Sequence, residues 1–313
     1  MAVLPLHIVD AFASEPFCGN PAAIVPNATQ LGEQEMQNIS AELGMEVGFV
    51  LPPEERVADV RVRFFSDRHE GNLSGHVLIA AFTSLADRGI FRPRPGGRLL
   101  HVETLAGVLE ATLTGEPGGP VHVSCEMPTP RFGEPIAADE VAHCFDTSTE
   151  AVRLDGRGPQ RVSCGFDHVV VPVSDRDLIR GDLVGRDRVR QLLDDRGASG
   201  MALFCPDTHD PAVDYHCRFL HPGDRRRCED IASGTCLAAV AAYAVGHGLR
   251  DCGENVHVVT EQGHNLGRPT QARLNVRCLG GDIHRVLLSG EGTVVMRGAL
   301  QYEPRRAALA AGA

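Results

Sequence analysis

Glu46, the tripeptide Ser74-Gly75-His76 and the run Glu229-Asp230-Ile231-Ala232-Ser233-Gly234-Thr235 are the residues of this chain whose types could move a proton on a small molecule. A glutamate can serve first as base and then as acid, and a histidine can orient or protonate a substrate. Both Ser-Gly steps stand at the head of an apolar run, where a helix would begin. A helix N-terminus offers unpaired N–H groups and the positive end of the helix dipole, and small residues there let a carboxylate or a developing oxyanion approach the backbone. On that reading Ser74, Gly75, Ser233 and Gly234 hold anionic parts of a ligand, with Thr235 assisting. Plainer readings stand beside it. Ser74 and Ser233 could be N-caps, Glu229 and Asp230 first-turn carboxylates, His76 a core histidine kept neutral by the dipole, and Glu46 a solvated residue between helix and strand.

What must position these residues is a duplicated element. "LSGHVLIAAF" at 73–82 and "ASGTCLAAVA" at 232–241 align with Ser233 lying 159 residues after Ser74 (233 − 74), and the same offset carries Gly89 onto Gly248. Each copy follows a strand-like stretch with an Arg-Phe step, Arg63-Phe64 and Arg218-Phe219. Neither run has a polar stripe, and a helix apolar all round is buried. Two related halves are therefore expected, each a β-barrel-like sheet around a central helix, with both helix N-termini facing one cleft. Strands are expected at "LHIVDAF", "VGFVLPP", "VRVRFF", "LLHVETLAGVLEATLT", "VHVSCEM", "HVVVPV", "DYHCRFL", "NVHVVTEQ", "ARLNVRCL" and "RVLLSGEGTVVMRGAL". An amphipathic helix is expected at 31–43 and a short, charged surface helix at 186–195. The Gly-rich segment 115–119 reads as the hinge between a first half at 1–116, completed by a strand near 293–302, and a second half at 120–290; the tail 303–313 reads as frayed.

Composition narrows the function. Of 313 residues, 43% are apolar and 23% charged, ordinary values for a globular enzyme, and the net charge of −11 disfavours nucleic acid or an anionic membrane as partner. All 30 basic residues are arginine. That excludes Schiff-base chemistry on lysine, pyridoxal phosphate included, and the lysine of a phosphate-cradling loop. No GxGxxG follows a strand and no His or Cys pair has metal-ligand spacing, so neither a nicotinamide cofactor nor a metal is expected. Ten cysteines without a CxxC pair read as free, buried thiols. With no basic, signal-like N-terminus and no apolar run long enough to span a bilayer, a cytoplasmic protein is expected.

The segments "IVDAFASEPFCGNPAAIV", "MQNISAELGMEVGFV", "RFFSDRHEGNLSGH", "EDIASGTCLAAVAAYAVGHG" and "TEQGHNLGRP" resemble, in the same order, those of the PhzF-like isomerases of phenazine biosynthesis. The resemblance implies an α+β fold of the diaminopimelate-epimerase type, in which two similar domains enclose the active site. It also implies cofactor-free isomerisation of a conjugated amino acid, as with trans-2,3-dihydro-3-hydroxyanthranilate, a glutamate taking a proton from one carbon and returning it to another. By the same resemblance Glu46 is that glutamate, and His76, Asp230 and Thr235 bind and orient the substrate. A carboxylate-bearing small molecule is the implied partner and a homodimer the implied assembly. The chain departs from the pattern where the family shows Asn-x-Ser-Glu-Thr. Here Gly44-Met45-Glu46-Val47 is one residue short, so that Met45 is expected as an apolar wall, and the family's "FTP" is Phe65-Ser66-Asp67.

Two other readings are distinguishable. The same fold houses racemases with a cysteine at each helix N-terminus; here those positions are Ser74 and Ser233. A serine hydroxyl is too weak an acid for α-proton exchange, whereas a thiol of pKa about 8.5 can be tuned to it. Cys236 is displaced from the needed place. The altered loop at Glu46 also admits a protein that binds a ligand in the cleft without turning it over.

Overall fold

The computed structural model describes residues 2–116, 118–181, 185–222, 228–251 and 253–302; the tail at 303–313 lies outside them. The first half of the chain runs β1 (Ala2–Ala11), β2 (Asn20–Val25), α1 (Glu33–Leu43), β3 (Val47–Leu51), β4 (Val60–Phe65), the two-residue β5 (Glu70–Gly71), α2 (Gly75–Asp87), β6 (Arg98–Thr104), β7 (Gly107–Thr114) and β8 (His122–Met127). The remainder runs β9 (Arg131–Pro135), α3 (Ala138–Phe145), β10 (Gln160–Ser163), β11 (Asp167–Pro172), α4 (Arg176–Arg180), α5 (Arg186–Arg196), β12 (Gly200–Cys205), β13 (Tyr215–Leu220), β14 (Glu229–Asp230), α6 (Gly234–Gly246), β15 (Asn255–Gln262), β16 (Thr270–Leu279) and β17 (Asp282–Tyr302).

The fold is α+β, and strand pairing reproduces the duplication. In the first half β1, β2, β3, β4, β6, β7, β8 and β17 pair in turn and close on β1, an eight-stranded ring. Its parallel steps are β2 to β3 and β4 to β6; the second half repeats them as β11 to β12 and β13 to β15. Within each sheet lies one of the repeated helices. Every residue from Gly75 to Leu85 in α2 and from Gly234 to Val245 in α6 is buried. Each fully buried Val, Leu, Ile or Phe of these helices contributes about 1.5–3 kcal/mol over its exposed state. A helix with no polar stripe can be stable only where sheet covers it on all sides, and that is what the two wrapped sheets provide.

A bidentate fork recurs as well. Arg63 on β4 donates from Nε and Nη2 to Glu70 on β5 at 2.6 Å each, and Arg218 on β13 donates likewise to Glu229 on β14 at 2.8 and 2.6 Å. These pairs fix the short strands that lead into α2 and α6. Glu229 is thereby committed to Arg218 and is not a first-turn carboxylate of α6.

Two local expectations are corrected. The segment 115–119, of which Pro117 lies outside the described residues, closes a β7–β8 hairpin with Thr114 opposite His122, so it is a turn and not a hinge. β8 then pairs with β17, and the chain leaves this sheet only after Met127. The charged helix α5 is not wholly superficial, since Val189, Leu192 and Leu193 are buried beneath it. Among the described residues no helix is long and apolar enough to cross a membrane.

Candidate active site

Glu46 owes its position to a tight exit from α1. Gly44 takes the left-handed conformation, φ 62° and ψ 27°, and its N–H bonds back to the Ser40 carbonyl. Such a cap reverses the chain in one residue at little cost only for glycine. Two residues later the Glu46 carbonyl accepts from Ala23 N at 3.0 Å, locking Glu46 to the start of the β2–β3 ladder. The short connection is thus absorbed by the glycine. Met45, expected as a wall of the cleft, packs instead against the outer cluster of Met36, Phe49 and Phe65; successive side chains entering a strand point to opposite faces.

The Glu46 side chain is 41% exposed, which leaves it open to a substrate, and its Oε2 accepts a 2.8 Å hydrogen bond from Ser74 Oγ. Nε2 of His76, a buried residue, lies 3.8 Å from the same oxygen, while His76 Nδ1 is 3.3 Å from Ser74 Oγ. Ser74 sits at the N-cap position of α2 but makes no capping bond; its hydroxyl is turned to Glu46. The carboxylate, hydroxyl and imidazole therefore form one hydrogen-bonded group at the head of a buried helix. The first-turn N–H groups of α2 receive no side-chain cap.

The second copy is built differently. Ser233 does cap, accepting from Cys236 N at 3.4 Å, and its Oγ lies 3.3 Å from Thr235 Oγ1. Thr235 occupies the place of His76 and contacts Nε2 of His168 at 3.1 Å. His168 is buried at the head of β11, and burial pushes its imidazole down to about 4, the Asp167 charge opposing weakly. Asp230 Oδ1 accepts from Asn20 Nδ2 at 2.9 Å, and the same amide donates to the Ala232 carbonyl at 2.8 Å. Asn20 belongs to the first half, so this bond carries the second-half aspartate to the β2 edge that also holds Glu46.

The two copies meet at their glycines. A Cβ on Gly75 would stand 2.8 Å from Gly234 Cα, and a Cβ on Gly234 would stand 2.8 Å from Gly75 Cα. Leu288 of β17 closes the junction from below, its Cδ2 lying 2.8 and 2.6 Å from those two sites. The duplicated glycine thus has a reason independent of any ligand, since two helix N-termini abut backbone to backbone. Among the described residues six cysteines are buried, Cys125, Cys144, Cys164, Cys205, Cys217 and Cys236, and all are free thiols. Burial pushes the Cys236 thiol well above its ordinary value, the Asp230 charge adding to the effect, so it is no acid for proton exchange.

All eight residues given a catalytic or substrate-binding role from the sequence lie at or beside this junction. Glu46, Ser74 and His76 are in mutual contact, Ser233 with Thr235 forms a second group, Asp230 is tied across by Asn20, and Gly75 and Gly234 join the sets. Asn20 and His168 were not foreseen. The available signal was a lone polar residue at the head of an apolar strand, "NPAAIV" and "HVVVPV".

The family model described as phenazine biosynthesis-like protein matches residues 9–298. The chain belongs to this family. Its relatives include the uncharacterized isomerase YfhB of Bacillus subtilis, 26% identical over 88% of this chain and 91% of that protein. They also include the trans-2,3-dihydro-3-hydroxyanthranilate isomerase of Pseudomonas chlororaphis, 26% identical over 94% of this chain and 98% of that protein. A PhzF-family phenazine biosynthesis protein of Bacillus anthracis shares the fold, with a TM-score of 0.85 at 24% identity across 96% of this chain and 100% of that one. Membership and relatives together make the protein a PhzF-family isomerase.

Proposed function

We propose that this PhzF-family isomerase shifts a proton along a small, conjugated, carboxylate-bearing molecule, a cyclic diene or an unsaturated amino acid, without a cofactor. One observation carries the reading: a solvent-accessible glutamate held by Ser74 and His76 at the junction of two helix N-termini. Glu46 takes the proton from one carbon and returns it to another, acting as base and then as acid. His76 and Asp230 orient the substrate's polar groups. The first-turn N–H groups beside Gly75 and Gly234, with Ser74, Ser233 and Thr235, receive the carboxylate and the charge that develops as the proton leaves. A setting in the synthesis of specialised metabolites such as antibiotics fits the dihydrohydroxyanthranilate isomerases among its relatives.

The test is incubation in D2O with a panel of conjugated cyclic amino acids, dihydrohydroxyanthranilate and unsaturated prolines among them, followed by NMR. Deuterium at a new carbon with migration of the double bond is expected. Glu46→Gln should lower that rate by about 10²–10⁴-fold, the usual contribution of a positioned acid/base group, while substrate still binds. Exchange at the α-carbon with loss of chirality would establish a racemase instead, and binding with no exchange across the panel would leave a binding protein.

A further inference from the structure

Away from Glu46, the second half gathers His209, His216, Glu261 and His264 so that one potential ligand atom from each lies within 4.8 Å of all the others. The duplication shows that this exceeds what the fold requires. In the first half Glu103 on β6 faces Arg61 on β4, their side chains 3.4 Å apart, and accepts from the N–H groups of Glu54 and Glu55 at 2.7 and 2.8 Å. In the second half Glu261 on β15 holds the equivalent place opposite His216 on β13 and accepts from His209 N and Asp210 N at 2.6 and 3.3 Å. The loop-anchoring task is the same, yet the guanidinium has become an imidazole and two further imidazoles have joined it. His264 stands three residues after the glutamate, where the first half has Ala106.

The hydrogen bonds leave lone pairs free. His216 is fully buried; its Nδ1 lies 3.0 Å from Glu261 Oε1, and its Nε2 is buried without a partner. An ionised carboxylate only accepts, so the Nδ1 proton points to Glu261 and Nε2 carries the lone pair. That is the carboxylate–histidine arrangement which orients a metal ligand. His264 holds another buried ring nitrogen, Nδ1, without a hydrogen-bond partner, and His209 faces it. Their rings stack with centroids 4.1 Å apart and planes 3° from parallel. The nearby Arg180 guanidinium is engaged by Asp207 at 3.3 Å.

We propose that His209, His216 and His264 bind a divalent first-row ion of the zinc class, with Glu261 orienting His216 and balancing the charge. Imidazole nitrogens bind zinc at about 2.0–2.1 Å, so tetrahedral donors stand about 3.4 Å apart and the stacked rings must splay as the side chains close by about an ångström. His209 is exposed and His264 half-buried, so both can move. The ion ties the loop at 206–214 to the turn after β15. A cavity of about 350 Å³, lined by Glu261, His264 and Asp210 together with Phe12, Ser14 and Glu15, adjoins it and gives solvent a route to a remaining coordination position. None of the eight residues assigned to the isomerase site lines this cavity.

The test is titration of tag-free, chelator-treated protein with cobalt(II), read by its visible absorption and by competition with zinc. Saturation at one equivalent with the intense bands of a four-coordinate imidazole site is expected. His209→Ala and His264→Ala, whose side chains are not deeply buried, should each weaken binding by about tenfold or more with an unchanged circular dichroism spectrum, and Glu46→Gln should bind as the parent does. No saturable uptake, or uptake unaltered in the double variant His209→Ala/His264→Ala, would overturn the proposal. Neither result bears on the isomerase reading, which stands on Glu46.

Discussion

Ser74 and Ser233 occupy equivalent positions and do different work, and the difference can be measured. Ser74 gives its hydroxyl proton to Glu46, whereas Ser233 accepts from Cys236 N. Ser74→Ala removes the bond that orients the half-exposed Glu46 carboxylate, a bond that water can replace as far as stability is concerned. It should therefore cut kcat about tenfold or more while leaving the urea midpoint close to that of the parent. Ser233→Ala removes a cap and should instead lower stability by about 1 kcal/mol. Equal effects in both assays would show that the hydroxyls are interchangeable. His168 supplies a pH prediction. Burial holds its imidazole at about 4 against an ordinary value of 6.5. Between those values the unfolded chain takes up a proton that the folded chain refuses, so stability is complete above 6.5, falls as pH drops through the window and receives no further loss from this residue below about 4. Urea midpoints measured across that range should be flatter in His168→Gln than in the parent, and identical slopes would place the titration of His168 at its ordinary value. These roles were only partly legible. The Ser-Gly steps and His76 stood out by repetition, but Glu46 was marked by family resemblance alone, because nothing in "GMEVGFV" tells a reactive carboxylate from a solvated one.

The repeated helices are the elements that the sequence displayed most openly, since no other arrangement suits an apolar run with a polar head. Their mutual contact was not displayed. Glycine at a helix start reads equally as ligand clearance or as room for another helix, and only the 2.8 Å approach of each virtual Cβ to the opposite Cα decides for the second. Both uses are compatible, because the N–H groups remain directed out of the helix ends. Gly75→Ala and Gly234→Ala should each cost about 1–3 kcal/mol by overpacking. The double variant should cost less than the sum, since either methyl alone separates the two ends; strict additivity would show that the helices do not share this contact. Each variant should also slow turnover, because Ser74 and His76 ride on the end that moves. Six strands escaped the reading: the two-residue β5 and β14, the short β9 and β10, and β2 and β12. β2, "NPAAIV", and β12, "GMALFC", are buried almost throughout, so they show neither alternation nor β-branched richness. The histidine cluster was invisible for a related reason. Its members come from separate stretches, and no local spacing announces a site assembled by β13 pairing with β15.

At the scale of the molecule, the two halves are similar but not separable, and β17 is the cause. Residues 282–289 pair with β16, residues 286–291 pair with β8, and residues 292–302 pair with β1, so one strand completes the second sheet and closes the first ring. Arg268 strengthens the union from the other side, its guanidinium bonding Asp10 Oδ1 at 2.7 Å and the carbonyls of Cys18 and Gly19 at 3.0 and 2.8 Å. The proposed active site lies across this union, with Glu46, Ser74 and His76 from one half and Asp230, Ser233 and Thr235 from the other. A chain ending at Glu291 lacks one of the two partners of β1 and leaves the ring around α2 open, exposing a helix that has no polar face. It should show no cooperative transition in the far-ultraviolet circular dichroism, the appropriate probe for a protein with no tryptophan, whereas a chain ending at Tyr302 should unfold in a single step. A cooperative transition of about half the normal enthalpy in the shorter chain would mean that the second half folds alone. The cleft would then be an interface between independent domains, free to open and close on a substrate; a single transition in the longer chain and none in the shorter would mean that the geometry around Glu46 is held by the fold as a whole.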